Sequence, residues 1–292
     1  MVIKSLALPK LNHLIMSLPN PSEETIKKIQ NLCYNLLWNN GRDKVKRNGV
    51  VKSCKMGGLT MLDVKKFITS LKSTWLRKLL CKRSKYLDFL NTTYPFVSNI
   101  SCFGGDFIKR KLHLVNNPFW KDVFDSYILL DENITIKKDN CLTLPLWHTR
   151  LFRIAGNSVF YKHFYEGGRL FVNDLLNGNG YFHSFDFFLH TWNVRTNFLQ
   201  FNSLLNCVKR ILAANNIEEP LQNYENPLQP LSVKLLCSTT TGCRDIYHLL
   251  LGSVLPTLKS QNKWRIVMNL PDDFGWKYVY ELPFLLTKDS ML

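Results

Sequence analysis

The segment KMGGLTMLDVKKFITSLKSTWLRKLL, Lys55 to Leu80, decides how the first third of the chain is read. A Gly57-Gly58 turn leads into an apolar step, Leu59, Met61 and Leu62. Asp63 follows where a helix N-cap belongs, its carboxylate able to accept the orphan N–H groups of a first turn. Val64, Phe67, Ile68, Leu71, Trp75 and Leu79 then recur at three- and four-residue spacing, one apolar stripe on a helix. Lys65, Lys66, Lys72 and Arg77 fall on the flanks and back of that stripe. The pattern predicts a helix whose apolar face packs inward, with Trp75 as a buried residue joining it to the preceding helix. Its wet face would carry a line of positive charge that includes Lys72.

Outward from this helix the pattern stays helical. Ser22 precedes Glu23 and Glu24, a cap with first-turn acids that complement the helix dipole. Ile26, Ile29, Leu32, Cys33, Leu36 and Leu37 form the expected buried stripe, and Asn39, Asn40 and Gly41 end the helix after Trp38. The basic loop RDKVKRNGVVKSCKM connects the two helices, with a short strand suggested at Val50 and Val51. Phe119 to Leu130 reads as a helix, while 134–140 fits either a strand or a loop. Between Leu170 and Leu212 come three short helices. The turn Asn177-Gly178-Asn179-Gly180 separates the first two, Ser184 caps the second, and the third begins at Thr196. Ser, Asn, Pro and Gly mark a boundary near 92–112, and Asn, Gln and Pro mark another at 215–232. Further helices are expected at Asp245–Leu251 and near 263–268.

The formal charge is +16, and its distribution is uneven. Residues 1–111 hold 21 Lys and Arg against 6 Asp and Glu, whereas the remainder holds 17 against 16. Fourteen basic residues crowd into 42–85 against Asp43 and Asp63 alone. Such a concentration favours a nucleic-acid backbone over a membrane surface as partner. Arg42, Lys44, Lys46, Arg47, Lys52, Lys55, Lys65, Lys66, Lys72 and Arg77 are the candidate contacts. Trp38, Gly57, Gly58, Asp63 and Trp75 are the candidate structural residues. No apolar run reaches the ~18 residues of a membrane span, and no signal peptide is expected, which suggests an intracellular, cytoplasmic or nuclear protein without a membrane partner.

The eight cysteines are scattered without a CxxC, which argues against a disulfide framework. Cys237, Cys243 and His248 come nearest to a metal pattern but lack a fourth ligand. His148, His163, His183, His190 and His248 lie among aromatics with no HExxH nearby, a setting typical of structural histidines. No metal or other cofactor is expected.

Several of these stretches, taken in order, resemble the region after the reverse-transcriptase palm in LINE-type non-LTR retrotransposon polyproteins. LALPKLNHLIMSLPNP, with Pro9, Leu18, Pro19 and Pro21, resembles the entry to the thumb. The helix Ile26 to Trp38, ending LLW, and the Gly-Gly-Leu, Asp and Trp-bearing helix of 55–80 continue the likeness. KWRIVMNLPDDFGWKYVYELPFLLTKDSML resembles the Trp-rich connector that precedes a Cys/His region. Recognisable stretches cover roughly 1–90, 145–205 and 263–292.

The expected fold is therefore mainly α, a helical thumb-like bundle followed by a second, mostly helical domain with little or no sheet. Residues 1–92 would be the basic thumb-like domain, 93–112 a linker and 113–214 a helical connector. Residues 215–232 would be a second linker, and 233–292 a helical and aromatic tail. The resemblance implies that the thumb closes over a template–primer duplex, so RNA or an RNA–DNA hybrid is the expected partner, with an upstream polymerase palm as a further one. It also implies that fingers and palm precede Met1 and that further sequence follows Leu292. A free-standing basic helical module binding RNA or protein is the alternative. The cluster at 170–212 also resembles a helix-turn-helix, although a recognition helix would need exposed polar residues that this one mostly lacks.

The chemistry of polymerisation needs carboxylates that hold two Mg²⁺ at the primer end. The adjacent pair Asp272-Asp273 follows Pro271, which cannot donate to a strand ladder, and fits a turn better than a palm hairpin. No P-loop, GxGxxG or nucleophile elbow is present. The chain is read as non-catalytic. Incubated with a primed RNA template, nucleotides and Mg²⁺ or Mn²⁺, it should give no DNA synthesis. Synthesis abolished by an Asp272→Asn, Asp273→Asn double substitution would overturn that reading.

Overall fold

The structure, a computed structural model, describes residues 8–52, 58–81, 85–191, 196–221, 231–238, 241–252, 263 and 265–271. It is mainly helical, and its sheet is a two-stranded hairpin among the described residues. The chain divides into two compact units. One comprises Met1–Leu14, Pro21–Ile68 and Leu251–Leu292, the other Ile15–Asn20 and Thr69–Leu250.

The first unit is built on capped helices. After α1 (Leu8–Ser17), which contributes only its first part here, α2 (Glu23–Leu37) starts where Ser22 Oγ accepts the Thr25 N–H at 3.2 Å. It stops where the Trp38 N–H reaches the Tyr34 carbonyl at 2.9 Å and Asn39 and Asn40 turn to φ 49° and 59°. Asn tolerates this left-handed region because its side chain bonds locally. The buried face is Ile26, Cys33 and Tyr34, with Leu32 and Leu36 left 67% and 62% exposed. The stripe of α2 thus faces inward along only one edge, unlike the sequence expectation.

The helix α3 (Arg47–Val51) replaces the strand expected at Val50 and Val51. Its end still pairs by backbone: Leu59 and Met61 N–H both reach the Val50 carbonyl at 3.0 Å, and Thr60 N–H reaches that of Lys52 at 2.7 Å. Gly58 sits against this crossing, where a Cβ would collide with the Lys52 carbonyl. That close approach is the reason for glycine there. Gly57 lies outside the described residues.

The long helix α4 (Val64–Cys81) opens as its sequence predicts. Asp63 Oδ1 accepts the Lys66 N–H at 3.1 Å, and the Asp63 carbonyl accepts that of Phe67 at 2.9 Å. Gln30 of α2 braces the same end, donating to the Leu62 carbonyl at 3.0 Å and accepting from Val64 N–H at 2.7 Å.

From Thr69 onward α4 belongs to the second unit, and it is buried on nearly every side. Thr69, Ser70, Leu71, Lys72 and Ser73 are all buried, as are Leu76 and Leu79. Ser73 and Thr74 satisfy their hydroxyls on the carbonyls of Thr69 and Leu71, at 2.9 and 2.7 Å. A core forms around α4 with α5 (Lys85–Thr93), a 3-10 turn at Pro95–Ser101, α6 (Gly105–Lys111) and α7 (Pro118–Glu132). Phe96, Val97, Ile100 and Ile108 are buried in this core and Phe103 in the next, so the segment 93–112 is packed structure rather than a linker. Residues 134–140 are a loop with a turn.

The same unit holds a second core around the fully buried Trp147, whose indole donates to the Arg169 carbonyl at 2.6 Å. The strands β1 (Arg153–Ile154) and β2 (Asn157–Ser158) pair antiparallel through Ala155 at φ 48° and Gly156 at φ 81°. Positive φ at both loop positions matches the twist of a two-residue hairpin. The helices α8 (Lys162–Glu166), α9 (Phe185–His190) and α10 (Phe198–Ala214) complete this core. As predicted, Ser184 caps α9, its Oγ accepting from Phe187 N–H at 3.4 Å. The first of the three helices expected at 170–212 is instead a 3-10 turn, Val172–Leu175. The helices α11 (Leu231–Cys237) and α12 (Cys243–Leu251) pack on the first core through Val233, Leu236, Ile246 and Leu250.

Of the expected second linker, Ile217 and Leu221 are buried, and 222–230 lie outside the described residues. Leu221 N–H donates to the Gly180 carbonyl at 2.9 Å, and Gly180 at φ 79° has no room for a Cβ against Leu221. Gly180→Ala should therefore cost more than about 1 kcal/mol, since Ala must accept both strain and overlap. Gly178→Ala, with nothing within 4 Å of its added carbon, should stay within about 0.5 kcal/mol. Urea melts of the two variants provide the comparison.

Candidate nucleic-acid interface

The basic residues singled out from sequence separate into exposed and internal sets. Arg42, Lys44 and Lys46 are exposed on the segment between α2 and α3, and Arg47 is exposed at the start of α3. Arg47 is tied down there. Its guanidinium lies 2.9 Å from the Asp43 carboxylate and 2.7 Å from Asn31 Oδ1, and 4.5 Å over the Tyr34 ring. Lys65 is exposed and pairs with Glu23 at 2.6 Å, which holds the Glu23 carboxyl below its usual range. Such exposed pairs contribute little to stability and are open to competition by another anion. Lys66 is half-buried, and Lys55 lies outside the described residues. Lys27 and Lys28, exposed on α2, add to the charge of this unit. The sequence signal for them is the adjacent lysine pair in Thr25-Ile26-Lys27-Lys28-Ile29, which lies outside the basic concentration at 42–85.

Three expected contacts are internal instead. Lys72 is completely buried, not wet. Its ammonium donates to the Leu18 carbonyl and lies 4.1 Å over the Phe119 ring. Burial pushes its pKa down from 10.5 to about 8, opposed by the nearby Asp122 carboxylate. That carboxylate in turn accepts the Asn20 N–H at 2.6 Å. Arg77 spends its guanidinium on the carbonyls of Thr241 and Ser238, at 2.6 and 3.1 Å. Lys52 is buried beside Gly58, and burial lowers its pKa. A lysine stem on a mostly apolar helix looks the same in sequence whether its head is wet or caps a carbonyl.

Trp75 also departs from expectation. It is half-buried and packs edge-on against Phe119 and Trp120 of α7, with ring centroids 5.4 and 6.0 Å apart. Its indole donates to the Met16 carbonyl at 2.8 Å, and the Lys78 ammonium covers its ring at 4.4 Å. These partners lie in α1, α4 and α7.

Among the described residues no three His, Cys, Asp or Glu side chains come together to hold a metal ion. Cys237 is disulfide-bonded, and Cys243 is a thiol 3.1 Å from Ser70 Oγ. Asp131 is buried with its pKa raised by burial, and it accepts the Gly105 N–H at 2.8 Å, a capping role for α6. Asp272 and Asp273 lie outside the described residues. No helix among the described residues is long and apolar enough to cross a membrane.

No protein-family model, curated protein or solved structure matches the chain.

The buried ammonium of Lys72 sets a pH dependence. Below about pH 8 it is charged in both folded and unfolded chains, and the cost of burying the charge is fully present. Between about 8 and the ordinary value of 10.5 the unfolded chain binds more protons, so stability rises with pH across that window. In chemical melts, Lys72→Met should remove that rise. At neutral pH, Lys72→Ala should cost about 1–3 kcal/mol by stranding the Leu18 carbonyl.

Proposed function

We propose that the chain is a non-catalytic, nucleic-acid-binding part of a LINE-type retrotransposon reverse transcriptase, corresponding to its thumb and connector. The ordered resemblance of 1–90, 145–205 and 263–292 supports the ancestry. The observation that carries the binding role is the exposed cationic segment Arg42, Lys44 and Lys46 in a unit that also exposes Lys27, Lys28 and Lys65. Flexible lysines suit phosphate contacts, which fix a duplex in place without reading its sequence. A template–primer hybrid is the preferred ligand on this reading. Arg47, Lys52, Lys72 and Arg77 are engaged within the fold and serve it.

A second reading, a free-standing module that binds a protein partner, draws on Leu32 and Leu36, one turn apart and both exposed on α2. An apolar pair at this spacing is the kind of contact a partner helix uses.

Fluorescence anisotropy over a salt series tests the first reading. The chain should bind RNA–DNA hybrid irrespective of sequence, with affinity falling steeply as salt rises. An Arg42→Ala, Lys44→Ala, Lys46→Ala variant should flatten the log–log slope by roughly 2–3 units, close to one per lost phosphate contact. An unchanged slope removes these residues from the interface, and no binding at low salt removes the proposed function.

A further inference from the structure

The second unit carries its own concentration of positive charge, drawn from two stretches some forty residues apart in sequence. Lys109, Arg110 and Lys111 form the last turn of α6, and Arg153 stands on β1 of the hairpin. Two contacts join these elements. Arg110 donates to Ser158 Oγ and approaches His148 Nδ1 at 3.4 Å, while Arg153 pairs with Asp106 of α6 at 3.1 Å. The carbonyl of Trp147 accepts the Gly104 N–H at 3.1 Å, fixing the chain before His148 to the start of α6. Asp106 is the sole acid in 104–113 and 147–161, against Lys109, Arg110, Lys111, Arg150 and Arg153.

Beside these cations is an aromatic stack. The His148 imidazole lies parallel to the Phe160 ring, with centroids 4.7 Å apart and planes inclined by 17°. Burial and the neighbouring Arg110 lower the His148 pKa to about 4, with Asp106 acting against them and Lys111 with them, so the ring is uncharged at neutral pH. Phe160 remains 39% exposed. Phe103, Phe107 and Tyr165 pack around the pair and hold it in place.

We propose that α6 and the β-hairpin form a binding site for single-stranded nucleic acid, with a base stacking at Phe160 and the adjoining phosphates at Lys109, Arg110, Lys111 and Arg153. An exposed ring braced by a neutral partner and bordered by cations meets the two needs of an unpaired strand, a π-face and a path for its phosphates. A duplex offers no free base face to the ring. An acidic peptide would use the cations but not the stack. Arg110 and Arg153 are oriented by Ser158 and Asp106, and each guanidinium has five N–H donors, more than those contacts consume.

The test uses the full chain, fluorescein-labelled oligo(dT), and a labelled duplex. Phe160→Leu, which keeps apolar bulk but removes the ring, should weaken oligo(dT) binding roughly fivefold or more while leaving the duplex unchanged. Lys109→Glu should weaken oligo(dT) binding and lower its salt slope. Both effects should persist in the Arg42→Ala, Lys44→Ala, Lys46→Ala background, which separates this site from the one proposed for hybrid. In the wild-type protein, ultraviolet cross-linking to a bromodeoxyuridine oligomer should mark the peptide containing Phe160. Wild-type affinity in both single variants overturns the proposal, as does cross-linking confined to other peptides. Poly-glutamate that competes with oligo(dT) at equal charge, without dependence on Phe160, overturns it in favour of an acidic protein partner.

Discussion

Two side-chain donors from α4 close the carboxyl end of α1. The Lys72 ammonium takes the Leu18 carbonyl, and the Trp75 indole takes that of Met16. A helix leaves its last carbonyls without intrahelical partners, and side-chain donors from a neighbouring helix can satisfy them. The same two side chains then meet α7, Lys72 over the Phe119 ring and Trp75 edge-on to Phe119 and Trp120. The second unit depends on this junction, because it ties the segment Ile15–Asn20 to the helices that form the first core. Asp122 completes it by accepting the Asn20 N–H and placing a negative charge near the buried cation. Desolvating an ammonium is costly, and the carbonyl, ring and carboxylate offset only part of that cost, which is why the Lys72 pKa stays lowered.

The division of labour among the basic residues follows from burial. Where a lysine or arginine meets a backbone carbonyl, as Lys72 and Arg77 do, its N–H donors are used within the fold and are withdrawn from solvent. Where the chain runs over the surface, as at 42–46, the charge remains available to a polyanion. The two proposed nucleic-acid surfaces differ in the same physical terms. The first offers flexible cations alone, suited to a regular duplex backbone, whereas the second joins cations to an exposed ring and favours unpaired bases.

Local signals in the sequence were legible where a short-range interaction decides the structure. The caps at Ser22, Asp63 and Ser184 were readable, as were the turn at Asn177–Gly180 and the mainly helical class. The periodicity of α4 was legible, but not its near-complete burial, since a one-stripe reading assigns Ser70, Lys72 and Ser73 to water. Tertiary partners and back-bonded hydroxyls decide otherwise. The segment 93–112 looked like a linker because Ser, Asn, Pro and Gly make up half of the residues from Tyr94 to Gly105. Phe96, Val97, Ile100 and Phe103 lie among them at near-helical spacing, and a 3-10 turn lets them reach the core. The sign of the charge at 42–77 was visible, but the accessibility of each charge was not. The group around Arg110 and Phe160 was hidden because its members come together only through the packing of α6 on the hairpin.

The burial of Lys52 and Lys72 has a use in solution chemistry. Acylating reagents attack uncharged, accessible amines, so surface lysines such as Lys44 and Lys46 are modified quickly in the folded chain. Lys52 in one unit and Lys72 in the other are shielded and react only when their surroundings open. Local opening has its own free energy in each part of a protein. The acylation rates of these two amines, followed by peptide mapping, thus serve as built-in chemical clocks that time the opening of each unit separately, without added probes.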